Sequence, residues 1–199
     1  MKTTVILVRH GITDWNKLKK LQGKSDIPLN PEGIMQAKSV AKRLKKEFPI
    51  TKIYSSNLLR AIKTGEIIGK ELGMEIEKHE GLNERDYGEF EGKTWEELGV
   101  EFTKEKRISF RLKPKKGEHY PDFQNRVVKH FLEIVKKHTG ETILLVCHGG
   151  VLNALLRHIN SIPYEDISHY SFPNTSVTIL HIEKDVITPH LVADIEHLG

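Results

Sequence analysis

Two runs of consecutive apolar residues, Val5-Ile6-Leu7-Val8 and Ile143-Leu144-Leu145-Val146, constrain the fold of this chain more than any other feature. Neither alternates with polar residues, and each ends abruptly, the first in Arg9, His10 and Gly11 and the second in Cys147, His148 and Gly149. Short, β-branched, unalternated runs are what a strand buried on both faces requires. Such strands belong to parallel sheets whose two faces are covered by helices.

The rest of the chain supplies those helices. The strand at residues 4–8 enters a loop reaching to about Asn30. Asn30 as N-cap and Pro31 at the first helical position then start a helix in which Ile34, Ala37, Ala41, Leu44 and Phe48 recur every three or four positions. A short strand at 50–55 leads to Asn57, expected to cap a helix that carries Arg60 in its first turn and stops at Gly73. A strand at 74–78 follows. Residues 79–120 have no clean period and read as a cap-like excursion. Asp122 is expected to cap a long helix with Val127, Phe131, Ile134 or Val135, and His138 on one face and Gly140 at its end. A strand at 142–147, a helix at 152–158 and closing strands at 176–182 and 188–193 complete the pattern. No linker, repeat or low-complexity tract interrupts it. The expectation is a single α/β domain over residues 1–199, a three-layer sandwich with a mainly parallel central sheet and helices on both faces.

Composition bounds the partners. With 199 residues, 38% hydrophobic and 29% charged, disorder and collagen are excluded. The net charge of +4 points only weakly toward anions. Arginine is scarce, eight against 23 lysines, so a position that keeps it is informative. The single cysteine, Cys147, excludes an intramolecular disulfide or a thiolate-rich metal site and suits a reducing cytoplasm. Arg9 and His10 end the first apolar run too early for a signal peptide, and no window approaches the ~18 apolar residues of a membrane span. A cytoplasmic protein with no membrane partner is expected. Self-association into a homodimer is left open.

About one His-Gly dipeptide is expected by chance at this composition. Two of them, each delivered by a buried strand, are another matter. Ligands of open α/β sheets bind beyond the carboxyl ends of parallel strands, so both imidazoles fall on the rim where sites are built. Arg60, at the start of the helix after the strand ending at Ser55 and Ser56, falls on the same rim, as does Arg9. Two guanidiniums and two imidazoles suit a tetrahedral dianion, with backbone amides of nearby helix starts adding donors.

At these residues the sequence resembles the histidine phosphatase superfamily, also called the phosphoglycerate mutase-like family. The resemblance rests on Arg9-His10-Gly11 and continues through Thr13, Trp15, Asn16, Gln22 and Gly23. It extends through Ser55, Ser56, Arg60, Ala61 and Thr64, then Leu82, Asn83, Glu84, Tyr87 and Gly88, the stretch at 89–92, and His148 with Gly149. The resemblance implies a metal-independent phosphohistidine mechanism. His10 attacks phosphorus, Arg9, Arg60, Asn16 and His148 hold the equatorial oxygens, and Glu84 protonates the leaving oxygen and then takes a proton from water. Gln22, Gly23, Tyr87 and Gly149 are implied as further phosphate- or substrate-binding positions. Elementary electrostatics agrees: His10 must be neutral to attack, and neighbouring cations lower an imidazole pKa. The residues leave open whether His148 acts charged or neutral. Glu84 is one of seven carboxylates between Glu80 and Glu97, so only the family motif singles it out.

Rival chemistries fare worse. Gly23-Lys24-Ser25 imitates the end of a phosphate-binding P-loop, but Leu18 stands where its first glycine belongs and Pro28 interrupts the helix that should follow. Cys147 lacks the arginine six residues on that a cysteine phosphatase needs; Asn153 is there, and the cysteine is read as a small buried residue. No close pairing of histidines with carboxylates suggests a metal, so no metal or other cofactor is expected, and His119, His130, His138, His158, His181, His190 and His197 are read as ordinary surface or core residues. The basic segment 104–116 is read first as a solvated flap and, as the alternative, as lining the mouth of the site and drawing phosphorylated substrates to it; nucleic acid is disfavoured for want of interleaved aromatics. Within the resemblance, a short middle segment with Arg107 and Arg111 four apart, Gln22 before Gly23, and the 89–92 stretch favour a phosphatase of small phosphorylated metabolites. The alternatives are a cofactor-dependent phosphoglycerate mutase and a non-catalytic phosphate-binding protein.

Overall fold

A computed structural model describes residues 1–99, 113–163, 166 and 170–199. Its strands are β1 (Thr3–Arg9), β2 (Lys52–Ser55), β3 (Ile76–Lys78), β4 (Thr142–Cys147), β5 (Val177–Glu183) and β6 (Val186–Asp194), joined in one sheet of order β3-β2-β4-β1-β5-β6. β3, β2, β4 and β1 run parallel, and β5 and β6 are antiparallel additions, so the sheet is mainly parallel as expected. The helices are α1 (Asp14–Lys17), α2 (Pro31–Glu47), α3 (Leu59–Leu72), α4 (Tyr120–Lys137) and α5 (Gly149–Ile159).

The unalternated strands are explained by two cores. Val5, Leu7, Ile143 and Leu145 point into a cluster with Phe123, Val127 and Phe131 of α4 and Leu152 and Leu155 of α5. Ile6, Val8, Leu144 and Val146 point the other way, against Val40, Ala41 and Leu44 of α2 and Ala61 and Ile68 of α3. Every residue from Val5 to Val8 and from Ile143 to Cys147 is fully buried. At about 1.5–3 kcal/mol per buried aliphatic side chain, these two central strands alone anchor the sandwich.

Several element starts differ from expectation for identifiable reasons. Asn57 does not cap α3. Its N–H donates to Asn83 Oδ1 (2.8 Å), the N-cap is Leu58, and the first helical N–H, that of Leu59, is taken by Asp26 Oδ1 (3.0 Å) from a loop 33 residues away. Asp122 does not cap α4 either, because Pro121 presets the helical backbone one residue earlier and Asp122 lies in the first turn of a helix whose N-cap is His119. α4 ends at Lys137 rather than at Gly140, which turns the chain into β4 with φ +84°. α5 starts directly at Gly149, with His148 as N-cap. The long loop after β1 holds one helical turn, α1, closed by a capping box between Thr13 and Asn16. In the basic segment, residues 104–112, including Arg107 and Arg111, lie outside the described residues.

The loop leaving β1 lies directly on the start of α2. A Cβ on Gly11 would sit 2.5 Å from Gly33 O, and one on Gly33 would sit 2.2 Å from Ile12 O, backbone against backbone with no side chain free to yield. Gly33→Ala is therefore expected to cost about 1–3 kcal/mol, read as a lower denaturation midpoint at unchanged slope. An unchanged midpoint would show that the loop and α2 can separate freely.

Candidate active site

β1 and β4 pair in register, Val8 with Val146 and Arg9 with Cys147. The next residues on the two strands are the two histidines, and the ladder extends to them through His10 N–H donating to Cys147 O (2.9 Å). Their rings lie 5.2 Å apart, tilted by 56°. Both are buried, His10 at 3% and His148 at 0% exposure.

Hydrogen bonding fixes the edge each ring presents. His10 Nδ1 lies 2.7 Å from Gly11 O, and a carbonyl can only accept, so Nδ1 carries the proton and Nε2 keeps its lone pair while the ring is neutral. For His148 the logic runs through two neighbours. Asn83 Oδ1 accepts from Asn57 N–H (2.8 Å) and from the Ser56 hydroxyl (2.9 Å). With its hydrogen spent, Ser56 Oγ accepts from His148 Nε2–H (2.7 Å). This leaves His148 Nδ1 buried without a partner among the described residues.

Both imidazoles are held neutral. Burial pushes the His10 pKa well below the usual 6.5, and the charges of Arg60 and Arg9 push it further, against the opposing effect of the Gly11 carbonyl. His148 is lowered by burial first and then by Arg60, His10, Arg9 and Arg126. Among the described residues His148 is thus a neutral group, which the sequence left open.

The arginines converge as expected. Arg60, 1% exposed, donates from Nη1 to Ser25 O (2.8 Å) and from Nη2 to Gly23 O (2.7 Å), while its Nε has no partner among the described residues. Burial lowers its pKa to about 10, partly offset by Glu84, so it stays charged at neutral pH. Arg9 donates from Nη1 to Phe172 O, and its Nε is likewise buried and unmatched. Burial lowers its pKa too, opposed by the attraction of Glu84. Buried donors without acceptors are costly, and the unmatched Nε groups of Arg9 and Arg60 near His10 suit an anion, with the His148 Nδ1 lone pair beside them suited to a hydroxyl hydrogen.

The other expected positions are held as follows. Asn16 Oδ1 accepts from Thr13 N–H (3.1 Å) and Asn174 Nδ2 (3.3 Å), which leaves its own amide N–H groups to be offered elsewhere. Gln22, 8% exposed, accepts the Thr13 hydroxyl at Oε1 (3.0 Å). Gly23, at φ +50°, turns the loop that Arg60 grips; a Cβ there would meet Glu91 Oε1 at 2.0 Å, so the glycine lets residues 23–25 close on that carboxylate. Glu91 in turn accepts Lys24 N–H (2.8 Å) and the Ser25 hydroxyl. The segment at 23–25 therefore offers carbonyls to a guanidinium, the reverse of a P-loop's amide cradle. Glu84 accepts from Arg85 N–H (2.9 Å) and from Gly150 N–H (3.0 Å) at the start of α5. Gly149 adjoins Arg9, whose Nε is 3.6 Å from where a Cβ would stand. Tyr87 is half-buried, and burial together with Glu84 raises its phenol pKa, keeping it neutral. Cys147 is fully buried with its thiol pKa raised, an inert residue as expected. Among the described residues no group of three or more His, Cys, Asp or Glu is arranged to hold a metal ion.

Sequence reasoning missed the turn before β5. Asn174 Nδ2 donates to His10 O (3.0 Å), and Thr175 N–H donates to Arg9 O (3.0 Å) and His10 O (3.3 Å). Because β5 is antiparallel to β1, its beginning lies at the edge where β1 ends. The turn-forming run Pro173-Asn174-Thr175-Ser176 was the available signal, legible only once that strand direction is known.

The chain is 34% identical over 204 residues to a metal-independent phosphoserine phosphatase of Arabidopsis thaliana, covering 99% of this chain and 84% of that one. It is 32% identical over 194 residues to a phosphoglycerate mutase of Schizosaccharomyces pombe, covering 91% of this chain and 90% of the other. A crystal structure of an Entamoeba histolytica phosphoserine phosphatase mutant in complex with phosphoserine superposes with a TM-score of 0.86 at 30% identity, covering 99% of this chain and 100% of that one. The family described as histidine phosphatase superfamily (branch 1) matches residues 5–195, and with the two histidines, their tautomers and the arginines in place, this chain belongs to that superfamily.

Proposed function

We propose that this protein is a metal-independent phosphomonoesterase that acts through a phosphohistidine on His10, with small phosphorylated metabolites as substrates and O-phosphoserine the first to test. The observation that carries the reading is the neutral His10 whose Nδ1–H is spent on Gly11 O, so that Nε2 stands as a nucleophile beside the unmatched Nε donors of Arg9 and Arg60 and the unmatched Nδ1 acceptor of His148.

In the first half-reaction His10 Nε2 forms a bond to phosphorus as the ester P–O bond breaks, and the protonated Glu84 carboxyl gives its proton to the leaving oxygen. In the second, the Glu84 carboxylate takes a proton from water, the water oxygen bonds to phosphorus, and the N–P bond returns its electron pair to His10. Arg9, Arg60 and the Asn16 amide hold the equatorial oxygens; His148, neutral and protonated on Nε2, takes part through Nδ1 by accepting a hydrogen bond from the P–OH of the monoanionic form of the phosphate. Gln22 and Tyr87 line the approach, and Gly149 places an α5 amide beside Arg9. The single buried Cys147 suits a reducing, cytoplasmic setting.

Hydrolysis of p-nitrophenyl phosphate and O-phosphoserine is expected to survive chelator and to fall by about 10³-fold or more in His10→Ala. Brief turnover followed by denaturation should trap an acid-labile, alkali-stable phosphate on His10, and label persisting in His10→Ala would refute the assignment. Transfer from 2,3-bisphosphoglycerate to 3-phosphoglycerate at a rate above hydrolysis would assign a mutase instead.

A second expectation concerns pH. Both site histidines are neutral when folded, and their pKa values return to about 6.5 on unfolding, so below that pH the unfolded chain binds more protons than the folded one. Their contribution to stability is present above about pH 6.5 and is lost as pH falls below it. Ring nitrogen chemical shifts should show both titrating below 6.5; a midpoint at or above that value for His10 would remove its claim to be the neutral nucleophile.

A further inference from the structure

Arg126, on the second turn of α4, is given no contact with the reacting atoms above, yet its guanidinium binds the segment that carries Glu84. Nε and Nη2 form a fork on the Glu118 carboxylate (2.8 and 2.9 Å). The outer hydrogens point the other way. Nη1 donates to Gly81 O and Asn83 O (both 3.2 Å) and, more weakly, to Glu80 O (3.4 Å), and Nη2 reaches Glu84 O (3.4 Å). One planar group thus ties a carboxylate to four carbonyls in a stretch of five residues, a pattern a lysine cannot reproduce.

That stretch carries two functional side chains. Glu84 leaves it to accept from Gly150 N–H (3.0 Å), and Asn83 leaves it to receive the Ser56 hydroxyl that fixes the His148 tautomer. We propose that Arg126, braced by Glu118, is a positioning residue for proton transfer: it holds residues 80–84 so that Glu84 is presented to the leaving oxygen and Asn83 keeps His148 in register. The proposal rests on the phosphohistidine reading, with Glu84 as the acid.

The leaving group separates this role from a merely structural one. An alkyl ester such as O-phosphoserine expels an alkoxide that needs a proton, whereas p-nitrophenyl phosphate expels a phenolate that does not. In Arg126→Gln, kcat/KM toward O-phosphoserine should fall about tenfold or more and that toward p-nitrophenyl phosphate by less than about threefold. Glu84→Gln should show the same asymmetry, and adding Arg126→Gln to it should cost little more, within about twofold, because both changes act on one step. Arg126→Lys, which keeps charge and stem but loses the fork, should fall between wild type and Arg126→Gln and covers the case in which the glutamine variant does not fold. The His148 ring nitrogen resonances should move in either variant while those of the distant His190 stay in place. Equal losses toward both esters, additive losses with Glu84→Gln, or an unmoved His148 would overturn the proposal. Full activity of His10→Ala would instead overturn the phosphohistidine reading on which it rests.

Discussion

The in-register parallel pairing of β1 and β4 is the constraint on which the rest of the site depends. Two strands about 4.8 Å apart, ending at the same level, bring the residues that follow them to within ring-contact distance, and His10 and His148 stand 5.2 Å apart for that reason. A one-residue slip would send one imidazole to the opposite face of the sheet. In the register observed, alternate residues of Val5 to Val8 and of Ile143 to Val146 pack into two different cores, and the polar residues that end each run stop at the same level.

Around that pair the protein concentrates charge in a place that burial disfavours. Arg9 and Arg60 are kept cationic by carbonyls of Phe172, Gly23 and Ser25 and by the field of Glu84, while the same cations and the same burial hold both histidines neutral. The arrangement is internally unbalanced: three donor or acceptor nitrogens, on Arg9, Arg60 and His148, face no partner among the described residues. A phosphoryl group would supply what they lack, so the folded state holds its donors in advance of the ligand instead of reorganising around it.

Local signals reached different depths into this structure. The buried strands, the helix started by Asn30 and Pro31, and the stop at Gly73, which adopts φ +70°, are set by short-range sterics and hydrogen bonding and were legible residue by residue. The start of α3 was not, because its acceptor is Asp26 in a distant loop, and neither was that of α4, where Pro121 acts before Asp122. Glu84 was legible only through a family motif: nothing in its own neighbourhood distinguishes it from six other carboxylates, whereas in the fold it meets an amide of α5. Asn174 and Thr175 were missed because the antiparallel direction of β5, which brings their turn to His10, is a property of the sheet.

The sequence by itself determined that this chain builds a sheet buried on both faces, that two of its strands deliver histidines, and that scarce arginines stand beside them, because apolar runs and their terminators are local and chemically unambiguous. The fold sets which nitrogen of each histidine carries the proton, which carboxylate meets the start of α5 and which cation braces the stretch that bears it. Those outcomes depend on single hydrogen bonds between residues tens of positions apart, such as His148 with Ser56 and Arg126 with the carbonyls of residues 80–84, and such bonds leave no period, spacing or compositional trace along the chain.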